Sequence, residues 1–298
     1  MADAPVPWLK VVNFATNHHD TYDFIDPTKA DLYGKSVLIT GASKGIGKAT
    51  AISFARAGCS KIAIGARSPL AEVEKLVKRA ATEAGRPEPT VLCLELDVSS
   101  NDSVKAAAAA LASSPQFNGV LDILINNAGY LEKWFPIAET DPAEWWKSWE
   151  VNMKGTFLCC HHLLPMVLKS DAKLVLNLSS AGAHNLSLGG SAYQTSRFAA
   201  CRFTEFVVQD YAGTGLVAIA VHPGGVPTEL ALRMPEHKHA ILIDTAELAA
   251  DAMVWLSRER REWLSGRFVS CCWDMKELEG KKDEIEKNVE LLKFRMVV

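Results

Sequence analysis

The amino-acid sequence predicts a single α/β domain built on a doubly wound sheet of about seven parallel strands. From Ser36 onward, short β-branched runs alternate with longer amphipathic stretches, which is typical of repeated strand-helix-strand units. No stretch rich in Pro, Gly or Ser divides the chain, and no internal repeat occurs. At 298 residues the chain is long enough to bury a generous core around one such sheet.

Local composition predicts each element. The strand candidates are short apolar runs bounded by turn residues: Ser36–Thr40, Lys61–Ala66, Val91–Leu96, Leu121–Asn126, Lys173–Ser179, Leu216–Val221 and Arg267–Trp273. The helix candidates have apolar residues at helical spacing: residues 45–57, 69–84, 101–113, 142–168, 192–213, 245–257 and a charged helix near 275–292. We expect an N-terminal arm over residues 1–33, the sheet domain over 34–274 and a helical extension over 275–298.

Charge and hydropathy exclude several classes of partner. The formal net charge is only -3, which gives no electrostatic basis for binding nucleic acid or an anionic membrane. The apolar stretch Ala240–Leu256 is interrupted by Asp244, Glu247 and Asp251, so it does not predict a membrane span. The chain start lacks a basic segment followed by an apolar one, so we expect no secretory signal and a cytoplasmic protein.

Cysteines and histidines predict no metal site. The seven cysteines are an odd number and most fall inside apolar segments, so we expect buried, reduced thiols. No Cys-x-x-Cys pair exists. The histidine clusters lack further ligands at metal spacing: His18–His19, His161–His162 and His237 with His239.

A glycine-rich loop joins the first strand to the first helix. Gly41 permits a tight turn, Gly45 lets the backbone approach a pyrophosphate, and Gly47 lets the helix lie close to the strand. The helix N-terminus offers N–H groups to phosphate oxygens. A plain strand-to-helix turn is the alternative, but both flanking elements are correct. The loop predicts a Rossmann-type dinucleotide site formed by Gly41, Ser43, Lys44, Gly45, Ile46 and Gly47.

The end of the second strand indicates which dinucleotide binds. An acidic residue there accepts hydrogen bonds from the ribose 2′-hydroxyl and repels a 2′-phosphate. This strand ends in Ala66 and Arg67 without an acid, and Lys44 lies in the neighbouring glycine loop. The two cations predict a 2′-phosphate site and therefore NADP(H). The alternative is that Arg67 is a solvated surface charge.

Further motifs follow the later strands in a recognisable order. They are Asp97-Val98, Asn126-Asn127-Ala128-Gly129, Asn152, Ser179-Ser180, Tyr193 and Pro223-Gly224. With the glycine loop they span residues 36–273, and in this respect the sequence resembles the short-chain dehydrogenase/reductase family in its compact single-domain form. The C-terminal stretch Ser265–Val298 is similar to tails of filamentous-fungal reductases, which indicates secondary-metabolite or xenobiotic carbonyls as substrates.

The resemblance implies a role for each matching residue. Ser180 would bind the substrate oxygen, Tyr193 would exchange the proton, and Asn152 would support a water-filled proton path. The implied cofactor contacts are Asp97 and Val98 with adenine, Asn127, Ala128 and Gly129 at the cofactor floor, and Pro223, Gly224, Val226 and Thr228 on the nicotinamide amide. In this family the helix over 142–168 and the helix carrying Tyr193 form a subunit interface, so a homodimer or homotetramer is expected.

One position departs from the family pattern. The family has a lysine four residues after the tyrosine, whereas this sequence has Arg197. An ordinary tyrosine titrates near ~10, and lowering that pKa by about 3 units takes roughly 4 kcal/mol, for which a nearby cation is the usual source. Arg197 shares a helix face with Tyr193 and preserves the charge, and it would also contact the cofactor ribose. A guanidinium cannot relay protons, so three interpretations remain: a working reductase, a weakened variant and a non-redox scaffold.

The segments after the strands predict the substrate class. Residues Tyr130–Pro136, His184–Gly190 and Leu230–Ile243 are apolar and partly aromatic, which favours a hydrophobic ketone, aldehyde or secondary alcohol. His184 is interpreted as a solvent-facing loop residue, with a bond to substrate as the alternative. The sequence therefore predicts an NADP(H)-dependent oxidoreductase, and the alternative is a cyclase, lyase or ligand-sensing protein with a structural dinucleotide.

Overall fold

A parallel sheet of seven strands organises the molecule, seen in a computed structural model that describes residues 14–296. The strands are β1 Ser36–Thr40, β2 Lys61–Ala66, β3 Thr90–Glu95, β4 Ile123–Asn126, β5 Leu174–Leu178, β6 Val217–His222 and β7 Phe268–Ser270. Their order is β3-β2-β1-β4-β5-β6-β7. The chain winds outward from β1 in one direction and then from β4 in the other, so the predicted doubly wound α/β sheet is confirmed. The carboxyl ends of β1 and β4 border the crevice where such sheets bind ligands.

Helices cover both faces of this sheet. They are α1 Gly45–Arg56, α2 Ala71–Glu83, α3 Asn101–Ser113, α4 Pro142–Trp149, α5 Gly155–Val167, α6 Ser191–Asp210, α7 Ala246–Arg258, α8 Met275–Gly280 and α9 Lys282–Lys287. Strands β1, β5 and β6 are buried along their whole length, as expected for a parallel sheet covered on both sides. Most strand bounds agree with the predictions to within about two residues, the uncertainty of any helix or strand end.

One helix prediction was confirmed with a local irregularity, and another was wrong. The backbone is helical without a break from Pro142 to Val167, as predicted for 142–168, but it contains a π-helical turn at Glu150–Lys154 between α4 and α5. The single helix near 275–292 is two short helices, α8 and α9, followed by turns. The amide of Phe268 bonds to the carbonyl of Leu292, so the tail turns back onto the sheet edge instead of continuing as a helix.

The described part of the N-terminal arm, residues 14–33, packs on the domain. It contains two 3₁₀ turns, Asp23–Ile25 and Pro27–Lys29, and Ile25 is fully buried. The Thr21 hydroxyl bonds to Asp251 of α7. The remainder of the predicted arm, residues 1–13, and the last two residues of the predicted extension lie outside the described residues. The proposed segment boundaries therefore stay predictions.

The cysteine prediction requires one correction. All seven cysteines are free and six are buried, but Cys93 is exposed because it lies on β3 at the sheet edge. Burial raises the pKa of the Cys59 and Cys160 thiols to about 12, so both stay protonated at neutral pH. Within residues 14–296, no helix combines the length and apolar character needed to cross a bilayer, and no group of three His, Cys, Asp or Glu side chains could hold a metal ion.

Candidate active site

The glycine loop is packed so tightly that two of its glycines admit no side chain. Gly41 has a φ of +67°, and a Cβ there would lie 2.8 Å from the Ala128 Cα. A Cβ on Gly47 would lie 2.5 Å from both the Gly41 carbonyl oxygen and the Asn127 amide. The Asn127 side chain donates to the Thr40 carbonyl at 2.7 Å and so ties the end of β4 to the loop. This cradle has the form that a dinucleotide pyrophosphate requires.

The first turn of α1 faces the same crevice with free donors. Lys44 is the N-cap residue and its side chain makes no capping bond, so the first N–H groups lack a side-chain acceptor. The Lys44 ammonium instead pairs with exposed Glu229, which follows Thr228 in the segment after β6. A Cβ on Gly45 would touch the Thr228 methyl at 3.1 Å. Ser43 is partly exposed in the loop and Ile46 packs against the core.

The predicted adenine side carries Arg67, Asp97 and Val98. Arg67 is exposed, and the cation lies near enough to affect the Asp97 carboxylate. Burial raises the Asp97 pKa, but hydrogen bonds from Ser99 and the charges of Arg67 and Lys154 outweigh this effect and hold it below its usual range. Val98 is buried against the Cα of Gly155, where a Cβ would lie 2.8 Å from a valine methyl.

Tyr193 and Arg197 lie together on one face of α6, as their spacing predicts. The Arg197 Cζ is 5.2 Å from the centroid of the Tyr193 ring, and the arginine is only 4% exposed. Its Nη1 donates to the Leu178 carbonyl at 2.7 Å, at the end of β5. The Nε has no hydrogen-bond partner among the described residues. Nη2 occupies the space above Gly129, where a Cβ would approach it to 2.4 Å.

The two serines after β5 differ in their surroundings. Ser179 is buried and its hydroxyl donates to the Arg197 carbonyl at 2.9 Å, so this serine joins the end of β5 to α6. Ser180 is partly exposed, and its Oγ accepts the N–H of Gly182 at 3.0 Å. The turn Ala181–Ala183 packs against α6, so Ser180 lies beside the helix that carries Tyr193.

Asn152 lies in the π-helical turn and is fully buried. Its amide oxygen accepts the Tyr130 N–H at 2.9 Å, and its amide nitrogen donates to the Tyr130 carbonyl at 2.9 Å and to Ser196 at 3.0 Å. All of these bonds hold protein groups, so the side chain links the segment after β4 to α6.

The Pro223-Gly224 turn after β6 is held by a buried acid. Gly224 has a φ of +99°, and a Cβ there would lie 2.7 Å from an Asp244 oxygen. That oxygen accepts the Gly225 N–H at 2.6 Å, while the other accepts His19 of the N-terminal arm at 2.6 Å. Val226 is buried, and its carbonyl accepts the Thr228 N–H at 2.7 Å. The arm thereby supports the turn expected to contact the nicotinamide.

The three segments predicted to line the substrate site, Tyr130–Pro136, His184–Gly190 and Leu230–Ile243, form what we call the substrate mouth. This mouth contains more charge than the sequence indicated. Arg233 donates to the Tyr130 hydroxyl at 2.9 Å and lies 3.6 Å from Glu144, so it joins the segment after β6 to the segment after β4. The same three segments and the adjoining Ile137 also carry exposed large apolar side chains: Phe135, Ile137, Leu186, Leu188, Leu232, Ile241 and Ile243.

His184 is not the solvent-facing loop residue that was predicted. Its ring stacks on Phe294 with centroids 4.0 Å apart and meets Phe268 edge-on. Burial, with the neighbouring charge of His222, lowers its pKa to about 4, so the ring is neutral near pH 7. The aromatic partners come from β7 and the C-terminal tail, which are distant in sequence.

Sequence reasoning missed two acids that hold the site together. Asp244 supports the Pro-Gly turn, and Glu132 is 1% exposed beside Tyr193, whose N–H it accepts at 3.0 Å. Glu132 stands between Leu131 and Lys133, and a single acid in a loop is ordinarily a surface residue. No local signal distinguishes it.

Comparisons with known proteins agree with this architecture. Residues 35–239 match the family described as short chain dehydrogenase. The chain is 48% identical over 281 residues to the short chain dehydrogenase mpl6 of Monascus purpureus, covering 94% of this chain and 95% of the relative. A solved NADH-dependent reductase complexed with NAD has a TM-score of 0.67 at 21% identity, covering 80% of this chain and 95% of that one. An NADPH-bound carbonyl reductase from chicken fatty liver has a TM-score of 0.66 at 23% identity, covering 80% and 97%.

Proposed function

This chain belongs to the short chain dehydrogenase family, and on that basis we propose that it is an NADP(H)-dependent oxidoreductase of hydrophobic carbonyls and alcohols. The observation that carries the proposal is the Tyr193-Arg197 pair, in which a nearly buried guanidinium lies 5.2 Å from a tyrosine ring. A buried cation favours the anionic form of a neighbouring acid. The pair can therefore exchange a proton with a substrate oxygen.

The residues divide the chemistry between them. A bound nicotinamide dinucleotide supplies the redox equivalent. Tyr193 gives a proton to the carbonyl oxygen during reduction or removes it from the alcohol during oxidation. Ser180 orients that oxygen and donates a hydrogen bond as negative charge develops on it. Arg197 stabilises the phenolate but keeps its own protons, so the proton returns to Tyr193 from solvent.

A 2′-phosphate fits the cofactor side better than a bare 2′-hydroxyl. Strand β2 ends without an acid, and exposed Arg67 stands at the position where such an acid would discriminate. Lys44 lies across the crevice and is held by the exposed Glu229 carboxylate, an interaction worth about 1 kcal/mol or less. A phosphate dianion competes well for a lysine held so weakly.

The exposed apolar side chains at the mouth support a hydrophobic substrate, because several such groups together on a protein surface usually mark a binding site.

We also propose that the protein assembles through α5 and α6 into a homodimer or homotetramer in the cytoplasm. Phe157, Phe198 and Phe206 on these helices are each at least 45% exposed. Light scattering on the purified protein tests this, and a monomer would contradict it.

The proposed reaction is tested with Tyr193→Phe and a panel of aryl ketones, by following the loss of NADPH absorbance. The variant lacks the proton donor, and we expect kcat to fall by about 10²- to 10⁴-fold with little change in the Kd of NADPH. Tyr211→Phe is the matched control, since it removes the same hydroxyl at the far end of α6 and should leave kcat unchanged. Retained turnover in Tyr193→Phe would contradict the mechanism.

The non-redox alternative rests on Arg197 standing where the family has lysine. If the dinucleotide is only structural, NADPH binds but no carbonyl or alcohol in the panel changes its absorbance. In that case Arg197→Lys also produces no turnover. Turnover in either protein excludes this alternative.

A further inference from the structure

Glu132 is a carboxylate buried in the middle of the proposed site. It is 1% exposed, and within the part of the chain that the structure describes neither of its oxygens pairs with a lysine or arginine. One oxygen accepts the Tyr193 N–H at 3.0 Å, and the other accepts the Ser148 hydroxyl at 2.5 Å. Removing a carboxylate from water is expensive unless hydrogen bonds compensate it. The contribution of Glu132 must therefore lie in the hydrogen bonds that its oxygens accept, because an apolar side chain such as leucine cannot accept them.

The Tyr193 N–H is one that α6 leaves without a partner. Helix α6 begins at Ser191, so Tyr193 is its third residue and its N–H lies in the first turn, where no intrahelical acceptor exists. The N-cap residue is Gly190, which has no side chain to supply one. Glu132 supplies the acceptor from another segment, and its charge is favourable at the helix N-terminus.

The second hydrogen bond of Glu132, from Ser148, connects its segment to the helix that contains the π-helical turn. Ser148 lies in α4, four residues before Asn152. Asn152 holds both backbone groups of Tyr130, two residues before Glu132. The segment Tyr130–Glu132 is therefore fixed to the turn at one end and to the start of α6 at the other.

We infer that Glu132 is a positioning residue that sets the start of α6, and with it the hydroxyl of Tyr193, relative to the rest of the site. This inference rests on the proposed function of Tyr193. Glu132 acts through backbone and hydroxyl hydrogen bonds and touches no reacting atom. Its loss should displace Tyr193 and lower kcat, while dinucleotide binding at β1 and α1 stays as it is.

The inference is tested by comparing Glu132→Met with Glu132→Gln. Methionine has nearly the length of glutamate but no oxygen acceptor, and we expect kcat per NADPH-binding site to fall by about 10- to 100-fold, the size of effect that a misplaced catalytic group produces. Glutamine can accept from Tyr193 and donate to Ser148, so we expect kcat within about threefold of the parent. The Kd of NADPH, from nicotinamide fluorescence, should change by less than about twofold in both.

Asp122→Ala is the matched control. Asp122 is another buried carboxylate, which accepts two hydrogen bonds from Ser36 at the amino ends of the central strands β1 and β4, away from the proposed site. Its loss should lower the unfolding temperature without changing kcat per NADPH-binding site. A similar loss of kcat in Asp122→Ala would show that destabilisation alone explains Glu132→Met and would overturn the inference.

A readout independent of turnover separates this inference from the proposed function. The chain has five tyrosines, so ring-¹³C-labelled tyrosine gives a simple spectrum in which Tyr193→Phe identifies one signal. That signal should move in Glu132→Met and return in Glu132→Gln. If it moves while Tyr193→Phe retains turnover, the positioning stands and the proposed chemistry fails.

Two results would overturn the positioning itself. One is an unmoved Tyr193 signal in Glu132→Met, and the other is a loss of kcat in Glu132→Gln as large as in Glu132→Met. If Glu132→Met does not bind NADPH, Ser148→Ala takes its place, because it removes one of the two bonds. A moved Tyr193 signal with a loss of about threefold then supports the inference, and an unchanged signal overturns it.

Discussion

Two nearly buried arginines in this protein differ in how their donors are used. Arg267 is 6% exposed and gives hydrogen bonds to the carbonyls of Trp263, Ile285 and Leu291, among others. Arg197 is 4% exposed, yet among residues 14–296 its side chain bonds only to the Leu178 carbonyl, and its Nε has no hydrogen-bond partner there. Burying a cation with free donors is costly.

The two arginines also differ in what their guanidinium groups face. Arg267 fastens the C-terminal tail to the sheet edge, where Phe268 bonds to Leu292. The Arg197 guanidinium instead lies beside the Tyr193 ring, and its Nη2 lies above Gly129, next to the crevice. Burial alone therefore does not distinguish the two arginines, whereas the position of the Arg197 guanidinium beside Tyr193 fits the part proposed for it.

The largest expected effect comes from removing the Arg197 charge. Arg197→Met keeps an unbranched apolar stem, two atoms shorter than arginine, but no cation, so the phenolate loses its support, and we expect kcat to fall by about 10²- to 10³-fold. Arg197→Lys keeps the cation and should stay within about tenfold of the parent. If lysine loses as much as methionine, the charge is not what Arg197 contributes.

Arg267→Met should show the reverse pattern. It leaves several buried carbonyls unpaired, and we expect the free energy of unfolding to fall by about 2 to 4 kcal/mol. Urea unfolding measures this, and kcat per NADPH-binding site should stay unchanged. A loss of kcat without a loss of stability would remove the contrast between the two arginines.

Substitution of the exposed Arg67 should have a smaller effect, which is on the preference for NADPH over NADH. Arg67→Asp should repel a 2′-phosphate and accept a ribose hydroxyl, which shifts the ratio of NADPH to NADH affinity by about 10-fold or more toward NADH. Fluorescence titration with both dinucleotides measures the ratio. Arg79→Asp, an exposed arginine of α2, is the control, and an unchanged ratio in Arg67→Asp would contradict the NADP(H) proposal.

A further effect concerns pH and the C-terminal tail that Arg267 holds. Burial lowers the pKa of His184 and of His222 from 6.5 to about 4, so between these values the unfolded chain binds protons that the folded chain does not. The free energy of unfolding should therefore fall as pH drops from 6.5 to about 4. His184→Phe, which keeps an aromatic ring on Phe294, should reduce that slope, and an unchanged slope would contradict the assignment to His184.

The sequence predicted the sheet and the glycine loop because both depend on local pattern. Short apolar runs and glycines at the strand ends report burial and close approach directly. The partners of buried polar groups could not be predicted in this way. Glu132, Asp244 and the stacking of Phe294 on His184 depend on contacts between residues that are far apart in the chain. The π-helical turn was missed for the same reason, since Asn152 is held there by Tyr130 across the site.

Alcohol oxidation by Arg197→Met, Tyr193→Phe and the double variant tests the central claim most directly. With NADP⁺ saturating, Arg197→Met should lower kcat/KM for the alcohol of the best aryl ketone by about 10²- to 10³-fold in the parent but hardly at all when Tyr193 is already phenylalanine, because the cation acts through the phenol beside it. A loss of the same size in both backgrounds would contradict the claim that this guanidinium acts through Tyr193.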